Sequence, residues 1–293
     1  MTSRYGRSLE FGLSLVPMSA DVDLMRALAR RADELGLDLI GIQDHPYQWR
    51  YLDTLSLIGD LLARTERIRF FPDVANLPLR SPALLAKQAA SLDVLSGGRF
   101  ELGLGAGAFW EPIAAMGGAV RSGREALEAL EEAIQIIRVF WSGERTISFE
   151  GKHYSVKGLH PGPPPAHPIE IWLGVGKPRA LALTGRAADG WVPSLSWATP
   201  ELVPELARRV DEGAKAAGRD PSEIRRLYNV SGTIVDGPTQ GLLQGPPEHW
   251  IETLTGFAEE LGFDTFIFWP SDEPQAQLER FAEEIVPALR AAS

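Results

Sequence analysis

The chain reads as an α/β protein, and within that class as a (β/α)8 TIM barrel. Three observations predict this. Strand-like and helix-like segments alternate eight times along 293 residues. The strand segments are short runs of Val, Ile, Leu and Phe with little polar alternation, as parallel strands covered on both faces require. Eight such units in this length suit a closed barrel better than an open doubly wound sheet.

The first unit pairs Glu10–Val16, ended by Pro17, with a helix over Asp21–Leu35 that carries Leu24, Leu28, Ala32 and Leu35 at helical spacing and stops at Gly36. Phe11–Val16 is short for the core of a leader peptide, so it is read as the first strand, with a leader as the alternative. The second unit is Asp38–Gln43 with a helix over Thr54–Ala63. The third is Arg67–Val74 with Ser81–Leu95, stopped by Gly97-Gly98. The fourth is Arg99–Leu104 with a helix that opens at Ser122-Gly123-Arg124-Glu125, a capping-box pattern. Its apolar stripe is Leu127, Leu130, Ile134, Ile137 and Trp141.

The rhythm then breaks. Arg145–Phe149 and Lys152–Val156 around Glu150-Gly151 predict a hairpin. Leu159–Pro168, with four prolines before its last, is extended and not helical. Residues 143–168 are therefore an insertion between units four and five of a single domain spanning 1–293. Ile169–Leu173, Gly190–Pro193, Ile224–Val235 and Asp264–Trp269 give strands five to eight. Their helices cover Pro178–Ala187, Pro200–Ala217, Pro246–Leu261 and Pro274–Arg290.

Composition narrows the function. The net charge of −10 argues against nucleic acid and anionic membranes as partners, since both want a basic face. No apolar run reaches about 18 residues, the length of a membrane-spanning helix. Cysteine is absent, which removes disulfides, thiolate metal sites and cysteine nucleophiles and fits a cytoplasmic location. His153, His160 and His167 are scattered among prolines at no metal-ligand spacing, so no metal is expected.

A barrel carries its reactive groups at the carboxyl ends of its strands. Strand two ends at Asp44 and His45, strand three at Asn76, strand four at Gly103-Leu104-Gly105-Ala106-Gly107. Strand five ends at Gly174-Val175-Gly176, followed by Lys177 and Arg179; strand six ends at Ser194 and strand eight at Trp269. His45 is the candidate acid–base group, because an imidazole exchanges a proton near neutral pH; the alternative is a histidine bonded only within its loop. Gly103, Gly105 and Ala108 match a loose dinucleotide fingerprint, but the same small residues would let a flat ring or another backbone approach closely. Gly174-Val175-Gly176 before a helix is a candidate anion site, with free amides, a positive helix terminus and Lys177 beside it; the alternative is an ordinary turn. Phe109, Trp110, Trp197 and Trp269 are candidates to line an apolar pocket; the alternative for each is core or rim packing.

Taken together, these segments resemble the luciferase-like monooxygenases, a family of flavin-dependent oxygenases and deazaflavin (coenzyme F420)-dependent oxidoreductases. The resemblance rests on Ser81-Pro82-Ala83-Leu84-Leu85-Ala86-Lys87-Gln88 followed by Ser96-Gly97-Gly98-Arg99-Phe100-Glu101-Leu102-Gly103-Leu104-Gly105-Ala106-Gly107, on Asp44-His45, and on Ile171-Trp172-Leu173-Gly174-Val175-Gly176 with Ala187-Ala188-Asp189-Gly190-Trp191. It implies a (β/α)8 barrel with a flavin-type ring at its mouth. Strand three would bulge near Val74-Ala75-Asn76, often with a non-proline cis peptide that backs the ring. The cofactor phosphate would lie on Gly174–Gly176, near Lys177. Asp44, Gly105, Ala106 and Gly107 would border the cofactor, and His45 would touch the reactive ring edge or the substrate.

The family commonly follows its glycine run with a tryptophan and then an acidic–aromatic pair. Here the order is Phe109-Trp110-Glu111-Pro112, which displaces the acid. The resemblance implies hydride transfer to or from a small organic substrate with coenzyme F420, favoured through Asp44-His45, or with FMN. The alternatives are an FMN-dependent monooxygenase served by a separate flavin reductase and a cofactor-binding barrel without catalysis. It also implies a homodimer.

Overall fold

The computed structural model describes residues 1–291. Eight parallel strand positions form a barrel. In chain order they are β1 (Glu10–Leu15), β2 (Leu39–Ile42), β3 (Arg69–Pro72) continued by β4 (Ala75–Asn76), β5 (Leu102–Gly105), β8 (Ile171–Leu173), β9 (Gly190–Trp191), β10 (Arg225–Ile234) and β12 (Thr265–Pro270). Between β5 and β8 lie β6 (Ile147–Glu150) and β7 (Ser155–Leu159), an antiparallel pair apart from the barrel, and β11 (Gln244–Gly245) adds to β10. The hydrogen-bonded order β3-β2-β1-β12-β10-β9-β8-β5-β4 runs around the barrel. It closes where Phe70 of β3 pairs with Phe100: the Phe70 amide donates to the Arg99 carbonyl and the Glu101 amide to the Phe70 carbonyl, both at 2.9 Å.

The helices are α1 (Val22–Glu34), α2 (Thr54–Leu62), α3 (Pro82–Ser96), α4 (Trp110–Ala115), α5 (Gly123–Trp141), α6 (Pro178–Ala187), α7 (Val203–Ala216), α8 (Pro247–Glu259), α9 (Pro274–Arg280) and α10 (Val286–Ala291), the last two joined by a π turn. The Ser122–Glu125 capping box opens α5, and Gly97 in the left-handed conformation (φ 70°) ends α3. Among the described residues no helix is long and apolar enough to cross a membrane.

Strand three is interrupted where the resemblance implied: the Asp73–Val74 peptide is cis, and the chain steps from pairing with β2 to pairing with β5. One departure from the sequence reading matters. The short helix α4 follows the glycine run, where the hydrophobic pattern showed no helix.

The core has two parts. The larger lies between barrel and helices. The smaller fills the barrel itself with Leu39, Phe71, Trp172, Val192, Leu227 and Ile267, and Val74 packs against it. At the amino ends of the strands Arg69 pairs with Glu10 and Glu101, and Arg225 with Glu10 and Glu170. The barrel is thus plugged in the middle and tied by ion pairs at its base. The Pro-rich segment is held to α3: Lys87 donates to the Gly162 carbonyl and His167 Nδ1 lies 2.7 Å from Asp93.

Candidate active site

The carboxyl ends of the strands surround a cavity of about 970 Å³, within the range of small-molecule and cofactor sites. The residues assigned to the cofactor, the substrate and the acid–base role all open on it, while Gly103 and Leu104 lie beneath. Asp44 and His45 come from the end of β2, Val74, Ala75 and Asn76 from the strand-three break, and Gly105, Ala106 and Gly107 from β5. Gly174, Val175, Gly176 and Lys177 follow β8, while Phe109, Trp110 and Trp269 complete the wall. Glu111 is exposed on α4 and takes no part in the lining.

The floor is shaped by Val74. A Cβ built on Gly105 would lie 2.8 Å from Val74 Cγ2, one on Gly174 2.9 Å from it, and one on Gly103 3.1 Å from Val74 Cγ1 and 2.1 Å from the Pro72 carbonyl. Apart from the tight 3.1 Å contact, these are distances real Cβ atoms do not tolerate beside backbone or a packed side chain. The Gly103–Gly105 pattern therefore admits the broken third strand, the close backbone approach that was one of its two readings, and the dinucleotide reading falls away. Gly174 serves the same seat, and its amide donates to the Leu104 carbonyl at 3.2 Å. That amide is not free for an anion. The amides of Val175 and Gly176 have no partner among the described residues. Gly176 is small for another reason: its φ is not positive, but a Cβ there would lie 2.7 Å from Trp197 Cζ3.

Asp44 is 2% exposed and fully committed. It accepts from the Asn76 amide (2.8 Å) and from Arg80 Nε (2.7 Å) and Nη2 (2.6 Å), a bidentate pair. Burial works against the Arg80 charge, yet Asp44 and Asp53 hold its proton more tightly than an ordinary guanidinium. Asp44 thus fixes the strand-three break from below and has no oxygen to spare.

His45 Nδ1 lies 2.7 Å from the Tyr47 hydroxyl, and its ring meets Phe109 edge to face at 5.7 Å. Among the described residues Nε2 has no hydrogen-bond partner. Burial lowers the His45 pKa below the ordinary imidazole value, with Asp44 opposing. The ring is neutral at pH 7, with one nitrogen engaged and the other available.

The sequence reading missed Tyr47, Asp73, Arg124 and Asn229, all of which open on the cavity. Asp73 immediately precedes the break; burial pushes its carboxyl up to about 7, hydrogen bonding from Asn229 opposing. The side-chain oxygens of Asn76 and Asn229, both buried, have no partner among the described residues. A closed polar floor would have satisfied them internally, so they suit a ligand that brings its own donors.

A closed parallel barrel with a deep cavity at its carboxyl mouth and a broken third strand as its floor is the framework of a small-molecule enzyme of the α/β-barrel class. The chain belongs to the luciferase-like monooxygenase family, whose profile matches residues 8–240. An F420-dependent glucose-6-phosphate dehydrogenase of Kineococcus radiotolerans is 29% identical over 248 residues, covering 83% of this chain and 73% of the relative. One of the same name from Microbacterium testaceum is 29% identical over 310 residues, covering 88% and 91%. Among solved structures, an F420-dependent secondary alcohol dehydrogenase in complex with an F420–acetone adduct superposes with a TM-score of 0.86 at 18% identity, covering 97% of this chain and 99% of that one. The oxygenating constituent of 3,6-diketocamphane monooxygenase of Pseudomonas putida, in complex with FMN, gives 0.77 at 20% identity, covering 96% and 98%.

Proposed function

We propose that this chain is an oxidoreductase that uses coenzyme F420 to transfer hydride to or from a small organic substrate. The observation that carries the reading is His45, neutral, braced by Tyr47 and open to the cavity, in a chain whose full-length relatives bear F420-dependent names.

The residues fit a flavin-type ring. Val74 offers an apolar seat recessed between glycines, Asn76 and Asn229 offer unpaired acceptors, and the amides of Val175 and Gly176 with Lys177 offer an anion site before α6. When bound, the deazaflavin supplies a carbon centre that accepts or gives hydride. The chain's own part is to hold the proton: His45 takes the hydroxyl proton of an alcohol being oxidised, or returns it to a carbonyl being reduced. Phe109, Trp110 and Trp269 hold the apolar body of the substrate and exclude water.

Two further parts of this reading concern the whole molecule. A homodimer is supported by α3, where Leu84 and Leu95 stand three turns apart on one face at 57% and 84% exposure, beside the half-exposed Val94. A single barrel domain in the cytoplasm is the setting. The deciding measurement is fluorescence of the purified chain titrated with F420 and, separately, with FMN. Saturable F420 binding supports the proposal. Binding of FMN alone would replace it with a flavin-dependent monooxygenase needing a reductase, and binding of neither would replace it with a barrel without catalysis.

A further inference from the structure

Asp73 has no place in the proton chemistry of His45, yet it is a carboxyl group in the cavity. It belongs to the floor: its amide donates to the Ile42 carbonyl at 2.7 Å, and a Cβ on Gly41 would lie 3.1 Å from its Oδ2. The carboxyl thus leans over β2 inside the barrel mouth. Across from it stands Asn229 on β10, 5% exposed, with its amide nitrogen 3.2 Å from Ser194 Oγ and its oxygen unpartnered. A carboxyl without a counter-ion in such a place is normally a designed feature, because an unpaired charge there is costly.

We propose that Asp73 is a second working residue of the cavity: a neutral carboxylic acid that donates a hydrogen bond to the bound ring, with the Asn229 carboxamide beside it. This rests on the reading of the cavity as a ring site. The ring's polar edge alternates acceptors and donors; a neutral Asp73 offers O–H to an acceptor, and Asn229 offers its free oxygen to a donor. The pair matches such an edge without placing any charge under the ring. Burial, which pushes the Asp73 carboxyl up to about 7, keeps the proton in place at about pH 6 and below and lets it go as pH rises through about 7.

Other ionisable groups open on the same cavity: Asp44, His45 and Tyr47 after β2, Arg124 on α5, and Lys177 and Arg179 at α6. Asp44 is tied to Arg80, and no charged group figures among the influences on Asp73. Ionisations of the remaining groups, and of the ligand itself, persist when Asp73 is changed, so comparison of variants isolates this carboxyl.

Two measurements test the proposal. In the ligand-free protein, carboxyl-carbon NMR with labelled aspartate, the Asp73 resonance being the one lost in Asp73→Asn, should give a midpoint near 7; a midpoint below 5 overturns it. In fluorescence titrations with F420 and with FMN, wild-type affinity should fall at least tenfold more than that of Asp73→Asn between pH 6 and pH 9, because the Asn amide donates at every pH. Asp73→Ala should bind weakly at both. Identical pH dependence in wild type and Asp73→Asn overturns the contact. Should wild type bind neither ligand, the ring-site reading fails and the donor role fails with it, while the NMR midpoint decides separately whether the floor holds a neutral acid.

Discussion

The Tyr47 hydroxyl holds His45 at Nδ1, 2.7 Å away, two residues along the same loop. One short contact fixes the imidazole's orientation and leaves Nε2 as the nitrogen for chemistry. His45→Ala should therefore lower kcat by about 10²–10⁴-fold, the usual worth of a positioned acid–base group, and change cofactor affinity far less. Tyr47→Phe should lower kcat by a smaller factor. Steady-state kinetics with parallel binding titrations measure both, and a loss confined to binding would sink the proton-holding role.

Gly176→Val should weaken cofactor binding at least tenfold, or about 1.4 kcal/mol, with an unchanged circular dichroism spectrum. The backbone there tolerates a side chain; the obstacle is the Trp197 ring, 2.7 Å from where a Cβ would stand. The double variant Gly176→Val with Trp197→Ala should recover part of the loss. Unchanged affinity in the single variant would move the phosphate away from this turn.

Asp44→Ala should destabilise the chain by roughly 3–5 kcal/mol, the cost of stripping one partner from a buried ion pair. Arg80 would retain only the half-exposed Asp53, and the Asn76 amide would lose its acceptor. Chemical denaturation checks the figure. Asp44→Asn, which keeps an acceptor for that amide, should fall between the two.

Stability should carry the imprint of Asp73. Its folded pKa of about 7 lies above the ordinary carboxyl value of 3.8, so the folded state binds more protons than the unfolded one between those limits. Stability contributed by this group is then lost as pH rises from about 4 to about 7. Asp73→Asn should raise Tm by several degrees at pH 8 and by much less at pH 4. A pH-independent difference would show a merely steric effect.

Light scattering at micromolar concentration should give the mass of a dimer. Leu95→Glu, which puts a charge at the carboxyl-terminal end of the exposed α3 face, should give the monomer mass while leaving the secondary structure intact.

The barrel was legible because strands buried on both faces and helices buried on one leave different periods in the sequence, and those survive short errors in boundary. The mouth was legible for the same reason: once Asp38–Gln43 is a strand, His45 has nowhere else to be. Asp73 was not. Periodicity read Arg67–Val74 as one unbroken strand; only the family resemblance put a bulge near Val74, and neither gave the Asp73 side chain a role. The glycines gave two readings because both need a missing Cβ, and only the cross-strand neighbour, Val74, separates them. Asp44 looked like a cofactor ligand because its partner Arg80 is 36 positions away.

The seat of Val74 among Gly103, Gly105 and Gly174 divides labour within the molecule. A β-branched side chain wedged against the main chains of β5 and the end of β8 has little room to turn and little slack for substitution, so it fits one ligand shape and keeps it. Adaptation must come from the rim, where Phe109, Trp110 and Trp197 stand on loops and short helices whose side chains can be exchanged without disturbing the sheet. Variation among close relatives should accordingly concentrate around the opening, and attempts to retarget the protein to new substrates should leave its base untouched.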